Sequence, residues 1–130
     1  MKKMNNKGFS LVELIVVIAI MAVLVGVLAP QFIKYVESSR RSTDVSNAET
    51  IRSAVLADIA EGLISGSAAS STCQPSSPST LGEIPKAKGN KVGVGSDFTI
   101  SYNAPAGTCE VSLGSYNLST TSGVSAYKVP

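Results

Sequence analysis

From Phe9 to Ala29 the chain reads FSLVELIVVIAIMAVLVGVLA, 21 residues with a single charge, Glu13. About 20 apolar residues in a helix span the hydrocarbon core of a bilayer. A core helix of a soluble protein keeps a polar stripe, whereas this run is apolar on every face. Lys2, Lys3 and Lys7 precede it, and no basic residue follows until Lys34. The positive-inside rule therefore places the N-terminus in the cytoplasm and the rest of the chain outside. With 130 residues in all, a single domain outside the membrane is expected.

Composition narrows the chemistry. The chain has no histidine, which excludes Ser-His-Asp or Cys-His catalysis and any histidine-ligated metal. Charged residues are only 15% of the chain, the opposite of the balance that produces disorder. The net charge of +2 belongs to the N-terminal segment: without residues 1–8 there are 8 basic and 9 acidic side chains. Basicity is therefore no argument for a nucleic-acid partner. Asp97, Glu83 and Glu110 are too scattered for calcium, and two cysteines without histidine do not make a zinc site. No catalytic constellation, cofactor or metal is expected, and the chain is read as not an enzyme.

Three regions follow the apolar run. Residues 31–64 remain helical in pattern, with Val45, Ala48, Ile51, Val55, Ile59 and Leu63 on one face. Arg40, Arg41, Asp44, Asn47, Glu49, Arg52, Asp58 and Glu61 lie mostly elsewhere, and the helix is expected to stop between Gly62 and Gly66. A single helix over residues 9–64 would reach about 84 Å. Pro30, with Gly26 a turn earlier, should kink or loosen it. Residues 65–80 are Ser/Thr-rich and read as a surface loop. In residues 81–130, Lys91–Val94 is a weak strand, and Phe98–Tyr102 and Cys109–Leu113 alternate cleanly across a hairpin loop. Val124–Val129 reads as a final strand. The expected class is α+β: a long N-terminal helix, its first half in the membrane, packed on a small antiparallel sheet of three or four strands. Phe98, Ile100, Tyr102, Val111 and Leu113 share the face that meets the helix.

Glu13 costs about 2.5–3.5 kcal/mol in a membrane segment even on a lenient insertion scale. Snorkelling to the nearby interface is one explanation, and pairing with a positive charge supplied by an assembly is another. Lys7-Gly8-Phe9-Ser10-Leu11-Val12-Glu13-Leu14 resembles the processing motif of type IV prepilins: a short basic leader, Gly at the cut, Phe after it and Glu four residues beyond. The resemblance covers residues 1–36, and Ser10 stands where Thr is commoner. It implies a pilin-like fold with a leader, residues 1–8, cleaved by a membrane-embedded prepilin peptidase between Gly8 and Phe9. The same enzyme would methylate the new Phe9 amine. Residues 9–30 would be the membrane and filament-core helix, and residues 31–130 the extracytoplasmic head. Glu13 would neutralise the Phe9 amine of a neighbouring subunit in a helical homo-oligomer raised by an assembly ATPase and a platform protein. Gly26 and Pro30 would mark a stretch that loses helix in the filament. The precursor would sit in the cytoplasmic membrane and the product in an extracellular pilus serving adhesion, motility or DNA uptake.

Two alternatives share this N-terminus. A major pseudopilin of a secretion or competence system would build a short filament, and a monomeric membrane-anchored module would keep its leader. The few acids and two cysteines of the C-terminal half favour a pilin. An extracytoplasmic Cys73 and Cys109 are expected as a disulfide, closing a loop of about 37 residues and contributing roughly 4 kcal/mol in the chain-entropy model. Asn117-Leu118-Ser119 matches a glycosylation sequon and is expected to be unmodified. DNA binding by the filament surface would fall to Arg40, Arg41 and Arg52. They stand beside Asp44 and Glu49, which suits a packing or solvated-face role better.

Overall fold

A computed structural model describes residues 8–72 and 82–129. The elements are α1 (Leu11–Ala60), β1 (Ser67–Thr72), β2 (Thr99–Asn103), β3 (Thr108–Leu113), β4 (Tyr116–Asn117) and α2 (Thr121–Lys128). The class is α+β, as the sequence indicates. Two units emerge, residues 1–35 and residues 36–130, with the division inside α1.

In the first unit every described side chain is exposed, from Gly8 to Tyr35. Among the described residues α1 is the helix long and apolar enough to cross a membrane. It continues without a break through Gly26 and Pro30. Proline has no N–H, so the carbonyl of Gly26, which would accept it one turn back, has no α-helical donor. The local weakening expected from the sequence is thus a missing hydrogen bond within a continuous helix.

In the second unit, α1 buries Arg41, Asp44, Ala48, Ile51, Val55 and Asp58, spaced three or four apart. Ala48, Ile51 and Val55 join Phe98, Ile100, Val111, Leu113, Leu118 and Tyr127 in the core, with Val45, Ile59 and Tyr102 half-buried at its margin. The helix ends at Ala60 rather than near residue 64, and Leu63 is exposed. Gly62 adopts φ +78°, and the amides of Leu63 and Gly62 donate to the carbonyls of Asp58 (2.9 Å) and Ile59 (3.1 Å). That pair of bonds is a Schellman stop, which needs a left-handed residue that glycine supplies most cheaply.

The sheet order is β1-β2-β3-β4, antiparallel throughout. The hairpin read from the alternation is present, with Ile100 opposite Val111 and Tyr102 opposite Cys109. Its turn is four residues, Ala104–Gly107, because Asn103 still pairs with Thr108. The Asn103 side-chain oxygen accepts the Ala106 N–H at 3.2 Å.

Three local expectations are corrected. Ser67–Thr72, inside the presumed loop 65–80, is an edge strand paired with β2, Ala68 lying opposite Tyr102. Lys91–Val94 is not a strand but part of a loop pinned by hydrogen bonds from Ala87 to Ser96 (3.0 Å) and from Gly95 to Ala87 (2.8 Å). The C-terminal segment is helix α2, not a strand: Thr120 caps it, its hydroxyl accepting the Gly123 N–H at 3.1 Å. Its one fully buried residue is Tyr127.

Candidate functional site

Gly8, Phe9 and Ser10 precede the first helical residue, Leu11, and Phe9 is 91% exposed. The boundary is set by two reciprocal bonds. The Ser10 N–H donates to the Glu13 carboxylate at 2.7 Å, and the Glu13 N–H donates to the Ser10 hydroxyl at 3.2 Å. Ser followed three residues later by Glu is a capping box, in which each side chain satisfies an amide the helix cannot. The Leu14 N–H then donates to the Ser10 carbonyl at 3.2 Å, the first helical bond. The residue that the processing motif leaves without a role is Ser10, and its S-x-x-E spacing to Glu13 is the sequence signal for this box. Gly8 has no positive φ, and none of the described residues lies within 4 Å of where a Cβ on it would stand.

The head carries a second constellation, which the sequence did not reveal. Asp44, fully buried, accepts the amides of Lys88 (2.7 Å) and Gly89 (2.8 Å) and the hydroxyl of Tyr127 (2.6 Å). Glu37 accepts the Asn90 amide at 2.8 Å and pairs with Arg41 at 3.1 Å. Arg41 donates to the Val129 carbonyl at 2.8 Å, and Lys91 donates to those of Ala126 and Val129, both at 2.6 Å. Two cations thus hold carbonyls at the C-terminal end of α2, where the helix dipole is negative. The Lys91 ammonium lies 5.2 Å from the ring centre of Tyr116, which stands edge-on to Tyr127. Burial, and then the Asp44 carboxylate, push ionisation of the Tyr127 hydroxyl well above the ordinary phenol range. This cluster ties the 88–91 loop and α2 to α1.

The remaining candidates are distributed. Cys109 is buried on β3, and Cys73 lies outside the described residues. Arg41 is committed to the cluster just described, and Arg52 donates to the Cys109 carbonyl at 3.0 Å while facing Glu49 at 3.6 Å. Of the three arginines considered for DNA, Arg40 alone is fully exposed. In the sequon, the Asn117 amide nitrogen donates to Glu110 (3.2 Å), its oxygen accepts the Ser119 N–H (3.0 Å), and the Ser119 hydroxyl accepts the Val111 N–H (2.7 Å). Both sequon side chains are occupied.

A long helix, apolar over its first part, together with a four-stranded antiparallel sheet makes a pilin-like α+β architecture. Residues 3–29 match the family model described as the prokaryotic N-terminal methylation motif, a span that includes Gly8, Phe9, Glu13 and Gly26. The chain is also similar to prepilin peptidase-dependent protein A of Clostridium perfringens (strain 13 / Type A), 42% identical over 66 residues. That alignment covers 50% of this chain and 47% of the relative, so the chain spans about half the length of the curated protein it matches. No solved structure matches the chain.

Proposed function

We propose that this chain is a structural, non-catalytic subunit of a type IV pilus. It is held in the cytoplasmic membrane by residues 9–29 until a prepilin peptidase cuts between Gly8 and Phe9 and methylates the Phe9 amine. The observation that carries the reading is the fully uncovered apolar half of α1 directly behind a matched methylation motif. In lipid such a helix gains little hydrophobic free energy from meeting another, so packing and polar contacts must drive association. Cleavage supplies the polar contact: a new cation at Phe9, within reach of the Glu13 carboxylate of a neighbouring subunit. Each charge alone is poorly solvated in a low dielectric, and the pair is less so. An uncleaved leader would set the amine eight residues away.

The assembly ATPase and platform protein act on the membrane-held subunit, and the product is an extracellular filament serving adhesion, motility or DNA uptake. The Gly26–Pro30 stretch, already short of one hydrogen bond, is where the helix would give way in the filament. Cys109 and Cys73 form the disulfide of the exported head. The mass of the mature chain tests these points together: loss of residues 1–8, one added methyl group and the loss of two hydrogens. An intact leader on the membrane-inserted protein would leave a monomeric anchored module instead. Glu13→Gln is expected to be processed but not polymerised, and normal filaments from it would remove the charge-pair mechanism. Deleting the gene and assaying surface filaments beside protein export separates pilus from pseudopilus.

A further inference from the structure

We propose that Ser10 is a positioning residue for cleavage: the Ser10–Glu13 box starts the helix just after the Gly8–Phe9 peptide and so keeps that peptide outside it. The inference rests on the processing reading above and deepens it. Hydrolysis adds the hydroxyl of water to the Gly8 carbonyl carbon, breaks the bond to the Phe9 nitrogen and passes both water protons to that nitrogen. The products are a Gly8 carboxylate and a Phe9 ammonium. A peptide bond presented for this attack must have an accessible carbonyl and a backbone that can lie extended in the enzyme. A helical peptide offers neither, because its carbonyl is engaged four residues ahead.

The hydrogen bonds show what holds the boundary. The Glu13 N–H is the donor that would bond the Phe9 carbonyl if the helix grew by one residue, and the Ser10 hydroxyl already occupies it. The Ser10 N–H, which a longer helix would turn inward, is occupied by the Glu13 carboxylate. With the hydroxyl removed, the Glu13 amide is free to take the Phe9 carbonyl, and the Val12 amide can then take that of Gly8. An apolar surrounding favours this growth, since it penalises every unpaired backbone group. Gly8 and Phe9 are themselves exposed and lie ahead of the helix, which leaves their peptide accessible.

The test uses the full-length precursor in membrane vesicles containing the prepilin peptidase, with release of residues 1–8 timed on the membrane-inserted fraction. Ser10→Ala is expected to slow cleavage about fivefold, the population shift that loss of an N-cap produces. Ser10→Thr, which can still cap, is expected to be cut at nearly the wild-type rate. Glu13→Gln, which keeps an oxygen for the Ser10 amide, should behave likewise. An unchanged rate for Ser10→Ala overturns the proposal, and so does equal slowing by Ala and Thr, which would mean that the enzyme reads serine itself. Cleavage of the wild-type precursor separates failure of the processing reading from failure of this inference. If it keeps residues 1–8, the processing reading and this inference fall together; if it is cut and Ser10→Ala is cut equally fast, this inference alone falls.

Discussion

Tyr127→Phe isolates one bond in the fastening of the head. The hydroxyl donates to Asp44 at 2.6 Å from a fully buried position. A hydrogen bond to a charged partner contributes about 1.5–3 kcal/mol. Asp44 keeps the Lys88 and Gly89 amides, so the carboxylate is not orphaned, and about 2 kcal/mol is expected. The ring remains, and with it the edge-on contact to Tyr116, whose centroid is 5.5 Å away. For a unit spanning residues 36–130 that loss lowers Tm by roughly 10 °C. Urea unfolding of the detergent-solubilised chain, followed by near-ultraviolet circular dichroism, measures it. A second substitution checks the geometry. A Cβ at Gly89 would stand 2.7 Å from the Tyr127 hydroxyl, 2.9 Å from an Asp44 oxygen and 3.1 Å from Arg41 Cγ. Gly89→Ala should therefore cost less in the Tyr127→Phe background than in the wild type, by at least about 0.5 kcal/mol. A loss below about 0.5 kcal/mol for Tyr127→Phe, with strict additivity to Gly89→Ala, would refute the placement of the hydroxyl on Asp44.

The same tyrosine gives a pH prediction. Its folded-state ionisation is raised above the ordinary value of 10.0, so its contribution is whole below about pH 10 and is lost as pH rises further; Tyr127→Phe should flatten that alkaline decline. Gly123→Ala should dislodge α2, because a Cβ there collides with the Asn117 carbonyl; loss of Tyr127 burial, seen as increased solvent exposure of tyrosine, is the readout. Gly114→Ala should destabilise the β3–β4 turn, where φ is +60° and Val92 lies 2.9 Å from the built Cβ, and thermal unfolding measures it. Asn117→Gln is expected to change the mass of the chain by the side-chain difference alone, with no loss of sugar, since the Asn117 side chain is bonded to Glu110 and the Ser119 hydroxyl to the Val111 amide.

Some of the fold was legible because it is local. The hairpin between Phe98 and Leu113 announced itself through period-two alternation on both sides of a turn containing proline and glycine. The helix stripe Ala48, Ile51 and Val55 followed from three-and-four spacing. Arg41, Asp44 and Asp58 continue that same stripe, although their charge alone points to the solvent side. Spacing was the better guide than polarity. At β1 the signal was absent: Ser-Ala-Ala-Ser-Ser-Thr has no apolar alternation, and it is a strand because β2 offers it an edge. At the C-terminus the signal was ambiguous, since six residues cannot separate a period of two from one of 3.6.

Residues 1–36 determined the long apolar helix, the match to the methylation motif and the lone acid by themselves, for those depend on neighbours a few positions away. Tertiary structure decided that Asp44 sits in the core, that α2 is a helix and that the 88–91 loop is fastened. Asp44 meets the Lys88 amide across 44 positions of sequence and the Tyr127 hydroxyl across 83. A carboxylate is stable in the interior only where distant donors converge on it. That convergence is a property of the folded chain, which no window of sequence displays.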